Sequence, residues 1–318
     1  MIDTGAAPPG GARRGFWLPL LLYPSHTLPT ATVPVAIAAG LACREQVFRP
    51  GVLALAFAGS WLVHTAGVLV DNHELLRRHP HVAEHPELLQ ALADGRLTLA
   101  QVRAAATVCL AGALACGLPL VTLCGWPAVV LGLLGVAASL LYSASPWRYC
   151  RTGLAEPVFF VMFGFVAVAG AYYAQAVAAQ AVTGSWEGFL RLPYADLAAW
   201  GLPAGALVTN VLLIDDLRDD TFDALKGWRT GTVRFGPFWT RVRFTLLSAL
   251  AYAAPVGLWL HTARPASLLP LLTLPFALAI GHAVLLGDDP RRLKPMSARA
   301  SLLSCGYAVL WALGAAWR

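Results

Sequence analysis

Runs of about 20 apolar residues recur along the chain, and they limit the fold more than any other feature. The hydrocarbon core of a bilayer is about 30 Å thick, which a helix of about 20 residues crosses. Helices also satisfy their own backbone hydrogen bonds inside lipid. Of the 318 residues, 58% are hydrophobic and only 13% are charged, with a mean hydropathy of +0.62. The sequence therefore predicts a polytopic all-α membrane protein and argues against a large soluble helical bundle.

The apolar pattern divides into nine predicted transmembrane helices. Their predicted ranges are 17–42, 51–71, 103–122, 125–143, 155–179, 194–216, 243–262, 266–286 and 299–317. We expect residues 1–318 to form one membrane domain, in which residues 1–15 are a disordered leader. The six cysteines show no paired spacing, so the sequence indicates neither a disulfide framework nor a zinc site.

The basic residues predict the orientation of the chain, because cytoplasmic loops of membrane proteins are rich in Lys and Arg. With the N-terminus in the cytoplasm, 18 of the 23 Lys and Arg residues fall in cytoplasmic segments. The net charge of +6 is then mostly a consequence of topology and requires no nucleic-acid partner. The pattern predicts a multi-pass protein of the bacterial inner membrane with its C-terminus on the far side.

Two acidic segments follow the second and sixth predicted spans on the cytoplasmic side. The first reads "VDNHELLRR" (70–78), and the second reads "IDDLRDDTFDALKGWRTGTVRFG" (214–236). In the second segment, five aspartates fall within residues 215–223 at helical spacings of three and four, where like charges repel one another. Carboxylates grouped in this way are typical ligands of Mg²⁺, which also binds the phosphate oxygens of a substrate. The alternative is a solvated helix end with ordinary interfacial acids.

These residues resemble the UbiA superfamily of intramembrane prenyltransferases, and most closely its 1,4-dihydroxy-2-naphthoate polyprenyltransferases. The second acidic segment is similar to the family pattern NNIRDIxxDxxxGKRTLAVRLG, with Asp215 in place of Asn and Trp228 in place of Lys. The segments "YPSHTLPTATVPV" (23–35) and "FGFVAVAGAYY" (163–173) are also similar to family sequences. In the first acidic segment, the family pattern NDxxDxxxD aligns with Val70, Asp71, Glu74 and Arg78.

The resemblance implies nine helices around a central cavity, in which Mg²⁺ bridges the acids to a prenyl diphosphate that reacts with an aromatic acceptor. The implied catalytic residues are Asp71, Glu74, Asp216, Asp219 and Asp223, and the implied metal ligands are these five together with Asp215. The predicted substrate-binding residues are Arg78, Tyr142, Arg148, Arg151, Asn210, Lys226 and Arg229. The active site would face the cytoplasm.

Several alternatives remain at this point. Arg78 either pairs with the diphosphate or is an ordinary cytoplasmic charge, and Asn210 either lines the site or makes a hydrogen bond between helices. Tyr142 either stabilises a cation with its ring or anchors a helix end. The same scaffold also suits a terpene cyclase that needs no acceptor, or a membrane carrier without enzymatic activity.

Overall fold

The computed structural model describes residues 26–82, 85–287 and 289–317, and in these ranges it contains helices but no strands. The predicted leader, residues 1–15, and the first part of the predicted span 17–42 lie outside the described residues. The main helices are α1 (Leu28–Arg44), α2 (Pro50–Arg78), α4 (Leu99–Cys124), α5 (Trp126–Leu140), α6 (Ala155–Ala178), α8 (Tyr194–Arg218), α11 (Pro237–Thr262), α12 (Leu274–Leu286) and α13 (Pro290–Ala316). Shorter helices lie in the connections: α3 (Pro86–Ala93), α7 (Trp186–Leu190), α9 (Asp220–Leu225) and α10 (Gly231–Phe235).

Seven helical segments within the described residues are long and apolar enough to cross a membrane. One of them joins the 3₁₀ helix Pro265–Thr273 to α12. Two further apolar helices, α1 and α5, are shorter, with 17 and 15 residues, and coincide with the other two predicted spans. The protein is thus an all-α, multi-pass membrane protein, while the count of nine spans stays a prediction.

Helix α8 lies at the centre of the molecule. In its most apolar stretch 83% of the residues are buried, against 11–44% in the other candidate spans. It packs against α1, α6, α11 and α13. At its first half, the Trp311 indole N–H of α13 donates to the Trp200 carbonyl at 3.0 Å. The acidic segment therefore begins where the most buried helix of the protein ends.

Close contact between α6 and α8 depends on glycine. A Cβ added to Gly201 would lie 2.1 Å from the Gly164 carbonyl oxygen, and one added to Gly205 would lie 2.4 Å from the Gly164 Cα. Gly164 sits in a π-helical turn, Met162–Val166, a local distortion often found near functional sites. Through this contact α6 lies directly against α8, and its aromatic residues reach the interior of the bundle.

Candidate active site

A cavity of about 790 Å³ lies among α1, α2, α4, α5, α6 and α8. Most of its wall is apolar and comes from the membrane-spanning parts of these helices. Its lining carboxylates and Arg218 lie at the end where α2 and α8 finish, beside the turn at Tyr149–Arg151 and the loop after α9. The cavity thus has one charged end and a long hydrocarbon-like interior.

Five aspartates line the charged end: Asp71, Asp215, Asp216, Asp219 and Asp223. Helix α8 stops at Arg218 and α9 starts at Asp220, so residues 215–223 are not one regular helix. Helical hydrogen bonds nevertheless continue across the break, from the Asp219 amide to the Asp215 carbonyl (2.9 Å) and from the Asp223 amide to the Asp219 carbonyl (2.8 Å). The predicted stacking of these carboxylates therefore survives the break.

Two cations bind three of these acids. The Arg218 guanidinium bridges Asp215, at 2.7 Å from Oδ1, and Asp219, to which its Nε donates at 2.8 Å. The Lys226 ammonium lies 2.9 Å from Asp223 Oδ1, and its side chain is only 1% exposed. Because these are charge-assisted contacts, they hold the carboxylates in fixed positions around the cavity.

Asp216 differs from its neighbours. It is 8% exposed, and the described residues supply no ion pair to its carboxylate. The charges that act on it most strongly are other carboxylates, first Asp223 and then Glu156. A buried carboxylate among like charges favours the binding of a cation.

This donor set fits Mg²⁺ in a particular way. No group of three His, Cys, Asp or Glu side chains within the described residues is arranged as a complete metal site. Mg²⁺ is usually bound by one or two carboxylates together with waters and substrate phosphates, rather than by a cage made only of protein. The separate aspartates around the cavity match that mode of binding.

Of the two acids in the first acidic segment, only Asp71 lines the cavity. Glu74, predicted as a metal ligand, is instead paired on its own helix, 2.6 Å from Arg78 Nε and 2.9 Å from Arg77 Nη2. Neither Glu74 nor Arg78 lines the cavity. The spacing of three residues between Asp71 and Glu74 therefore does not make them a pair of ligands in this structure.

The predicted basic residues surround the charged end without lining it. Arg148 and Arg151 flank the turn at Tyr149–Arg151, and the Arg151 Nη2 lies 3.5 Å from His79 Nε2. Arg229 is exposed, although its backbone amide donates to the Arg151 carbonyl at 3.0 Å. Lys226 contacts the cavity through Asp223. The structure thus gathers these cations into one region behind the aspartates.

Asn210 requires a correction, since the structure places it away from the cavity. Its amide nitrogen donates to the Ser248 hydroxyl at 2.9 Å and to the Phe244 carbonyl at 3.3 Å, both on α11. A polar side chain inside an apolar bundle finds its hydrogen bond on the neighbouring helix. Asn210 joins α8 to α11, and we leave it out of the site.

Tyr142 lines the cavity beside the acids, as the first of a row of rings. Its ring lies 5.5 Å from that of Tyr149 and 5.7 Å from that of Phe159, which in turn lies 5.4 Å from Phe163. The ring of Tyr142 adds an aromatic face to the cavity wall.

The structure adds site residues that the sequence reasoning did not select. Asn72, Tyr149, Arg218 and Trp228 all line the cavity. Arg218 and Trp228 lay inside the recognised motif, and Trp228 stood out there as a departure from the family pattern. Asn72 follows Asp71 directly. Tyr149 had no comparable signal, because its place depends on the turn before α6.

An apolar cavity with a carboxylate-rich end, enclosed by membrane helices, defines a membrane protein that handles an amphiphilic molecule. The model of the UbiA prenyltransferase family matches residues 31–305. The chain therefore belongs to the UbiA prenyltransferase family.

Curated relatives agree with this assignment. The chain is 33% identical over 296 residues to a 1,4-dihydroxy-2-naphthoate octaprenyltransferase of Mycobacterium tuberculosis, covering 92% of each chain. It is 26% identical over 285 residues to the enzyme of the same name from Escherichia coli, covering 86% of each chain.

Solved structures show the same fold. A UbiA homolog from Aeropyrum pernix superposes with a TM-score of 0.65 at 19% identity, over 88% of this chain and 95% of that one. A UbiA homolog from Archaeoglobus fulgidus, solved with GPP and Mg²⁺, superposes with a TM-score of 0.59 at 17% identity, over 93% and 99% of the two chains.

Proposed function

We propose that the protein transfers a prenyl group from a prenyl diphosphate to an aromatic acceptor of the 1,4-dihydroxy-2-naphthoate type, in a Mg²⁺-dependent reaction. The observation that carries this proposal is the cavity itself, with five aspartates at one end and an apolar interior. A prenyl diphosphate has the same division between a polyanionic head and a hydrocarbon tail. The names of the curated relatives support this choice of acceptor.

The wall of the cavity formed by α4 and α5 suits a substrate that stays in the bilayer. Leu114 and Leu118 of α4 and Leu133 of α5 line the cavity, and each is 54–65% exposed. Apolar residues that line a cavity and are also exposed are consistent with an opening of the cavity towards the lipid of the bilayer. A prenyl tail can enter sideways there without crossing water, while its head reaches the aspartates.

The metal ligands in this proposal are Asp71, Asp216, Asp219 and Asp223, all of which line the charged end. These carboxylates would hold Mg²⁺, and the Lewis acidity of the bound ion would stabilise the diphosphate as a leaving group. The A. fulgidus homolog solved with GPP and Mg²⁺ supports this expectation.

The protein's own side chains provide the rest of the reaction environment. The allylic C–O bond breaks, and its electron pair leaves with pyrophosphate. The allylic carbon bonds to the ring carbon that bears the carboxylate, and CO₂ departs as its bonding electrons return to the ring. The faces of Tyr142, Tyr149 and Phe159 stabilise the positive charge that develops on the allylic carbon. The apolar wall keeps water from that carbon.

We further propose that the charged end faces the cytoplasm of a bacterial inner membrane. The distribution of Lys and Arg supports this orientation. Reporter fusions after Arg96 and after Arg264 should report opposite sides of the membrane. Equal signals from both fusions would contradict the topology.

The activity is tested with purified protein in lipid nanodiscs, Mg²⁺ and a panel of prenyl diphosphates, with and without 1,4-dihydroxy-2-naphthoate. Mass spectrometry should show a prenylated, decarboxylated product only when the acceptor and Mg²⁺ are both present. Hydrocarbon products formed without acceptor would instead identify a terpene cyclase. No turnover of any prenyl diphosphate would contradict an enzymatic role.

A further inference from the structure

Trp228 lies on the cavity wall at the charged end, and the structure gives its indole N–H no partner. The Nε1 atom is buried, and no hydrogen-bond acceptor among the described residues reaches it. An indole N–H is a donor only, so it needs an acceptor and cannot be satisfied by the neighbouring cations. Buried donors without a partner are uncommon in folded proteins, and one on a residue that lines a cavity is available to a ligand bound there.

The orientation of the Trp228 ring is fixed from three sides. The Lys226 ammonium lies 3.8 Å from the ring centroid, and the Arg151 guanidinium carbon lies 5.4 Å from it. The His79 ring packs edge-on, with centroids 6.2 Å apart. Cations over an indole face are attracted by its π electrons. These contacts join three segments of the chain and hold the N–H in one direction.

A second donor without a partner lines the same cavity. Asn72 of α2 is 5% exposed, and its amide nitrogen is buried without a hydrogen bond from the described residues. It follows Asp71 directly in sequence. Asn72 and Trp228 therefore present neutral N–H donors at an end of the cavity that is otherwise lined largely with carboxylates.

Neutral N–H donors allow an anion to bind next to carboxylates that would otherwise repel it. A substrate oxyanion placed among aspartates is repelled wherever no cation intervenes. Oxygens that are not bound to Mg²⁺ need N–H groups, which carry no charge to compete with the metal. The family pattern has Lys where this chain has Trp228, so a neutral donor here replaces a cationic one.

We propose that Trp228 and Asn72 are substrate-binding residues that donate hydrogen bonds to an oxyanion of the bound substrates. This inference rests on the proposed function. The oxyanion is either the diphosphate head or the carboxylate of the aromatic acceptor, and both offer the same acceptor chemistry.

The experiment compares the wild type with Trp228→Phe and Asn72→Leu. Trp228→Phe keeps an aromatic face for Lys226 and Arg151 but removes the N–H, whereas Trp228→Ala removes both. Isothermal titration calorimetry on the purified proteins measures binding of inorganic pyrophosphate with Mg²⁺, and separately of 1,4-dihydroxy-2-naphthoate. We expect each of the two test variants to bind one ligand about tenfold to a hundredfold more weakly, as for a lost hydrogen bond to a charged group.

The ligand that loses affinity identifies the source of the oxyanion. The other ligand should bind with unchanged affinity, and the unfolding temperature of the variant should match the wild type. Wild-type affinity of Trp228→Phe and Asn72→Leu for both ligands would overturn the inference. An equal loss for both ligands together with a lower unfolding temperature would also overturn it, because it would show a purely structural role. A wild-type protein that binds neither ligand would instead contradict the proposed function.

Discussion

The two acidic segments look alike in sequence and behave differently in the structure. On α2, Glu74 is neutralised by Arg77 and Arg78 of its own helix, and Asp71 is the one acid of that segment that lines the cavity. In the last turn of α8 and just beyond it, four aspartates line the cavity, and Asp216 receives no cation from the described residues. Both segments contain local ion pairs, but the paired aspartates of the second segment still line the cavity, whereas the paired Glu74 of the first does not.

The difference follows from how deeply each helix lies in the bundle. In its most apolar stretch α8 is 83% buried, whereas α2 is 22% buried. At the end of α2, Arg77 and Arg78 turn back onto Glu74 of the same helix and hold it outside the cavity lining. At the end of a central helix, neighbouring helices surround the acids and direct them into the cavity. Position relative to the cavity, more than spacing, therefore separates the acids of the candidate site from Glu74.

The largest effect should come from Asp216→Asn, which removes the carboxylate that lacks a cation. Turnover should fall by about a hundredfold or more, corresponding to ~3 kcal/mol of lost transition-state stabilisation. The matched control is Asp220→Asn, in the same segment but away from the cavity lining, which should keep near wild-type turnover. Steady-state kinetics at saturating Mg²⁺ measures both. Similar activity in Asp216→Asn and Asp220→Asn would contradict this expectation, because it would show that turnover does not depend on whether an aspartate lines the cavity.

The sequence allowed most of the fold to be predicted, because lipid imposes a length and an apolar composition on each helix. Predicted and observed ranges differ mainly at the ends. Helix α2 was predicted to end at residue 71 but continues to Arg78, because its final turns leave the apolar region. The four short helices in the connections were not predicted. They lie outside the long apolar runs, and they are too short for a reliable pattern.

The site could be predicted only in part. The motif located Asp216, Asp219 and Asp223, because a specific pattern fixes residue types along one segment. Which side chains share the cavity depends on how separate helices pack, and no spacing within one helix encodes this. Asn210 and Glu74 were misplaced for that reason, since each found a partner close by. Trp228 was visible as a departure from the pattern, but only its unpartnered N–H indicates what it does.

A second comparison tests the first acidic segment alone. Asp71→Asn should lower turnover by about tenfold or more, because Asp71 lines the cavity and is a proposed metal ligand. Glu74→Gln should change turnover by less than about threefold, since it disrupts ion pairs at a helix end that are worth ~1 kcal/mol or less. Both substitutions replace a carboxylate by an amide of the same shape. A larger loss of turnover in Glu74→Gln than in Asp71→Asn would instead indicate that Glu74 is a metal ligand.

Arg78 provides a further test of how the first acidic segment differs from the second. A direct bond to the diphosphate would make Arg78→Ala raise the Michaelis constant for prenyl diphosphate by about tenfold or more. The structure instead pairs Arg78 with Glu74 outside the cavity lining, so we expect a change within about twofold. Arg77→Ala is the control, because Arg77 contacts the same carboxylate and is more exposed. A tenfold increase in Arg78→Ala alone would show that Arg78 turns towards the substrate on binding.

The smallest effect concerns His79, which follows α2 and packs against Trp228 of the second segment. Burial, followed by the positive charges of Arg151 and Lys226 and by the neighbouring His81 and Arg78, lowers the pKa of His79 from 6.5. The folded protein thus favours neutral His79, while the unfolded chain takes up a proton near pH 6.5. The contribution of neutral His79 to the free energy of unfolding is fully present above pH 6.5 and is lost as the pH falls below that value.

We therefore expect acid to destabilise the wild type slightly more than a His79→Gln variant, which cannot be protonated. Between pH 7.5 and pH 5, the unfolding temperature of the wild type should fall by roughly 1–2 °C more than that of the variant, because His79 is partly exposed and solvent screens its interaction with the nearby charges. His261→Gln, an exposed histidine at the end of α11, should show the wild-type dependence on pH. A smaller acid shift in the wild type than in His79→Gln would mean that protonated His79 stabilises the fold. An acid of the second segment would then have to lie close enough to His79 to outweigh Arg151 and Lys226.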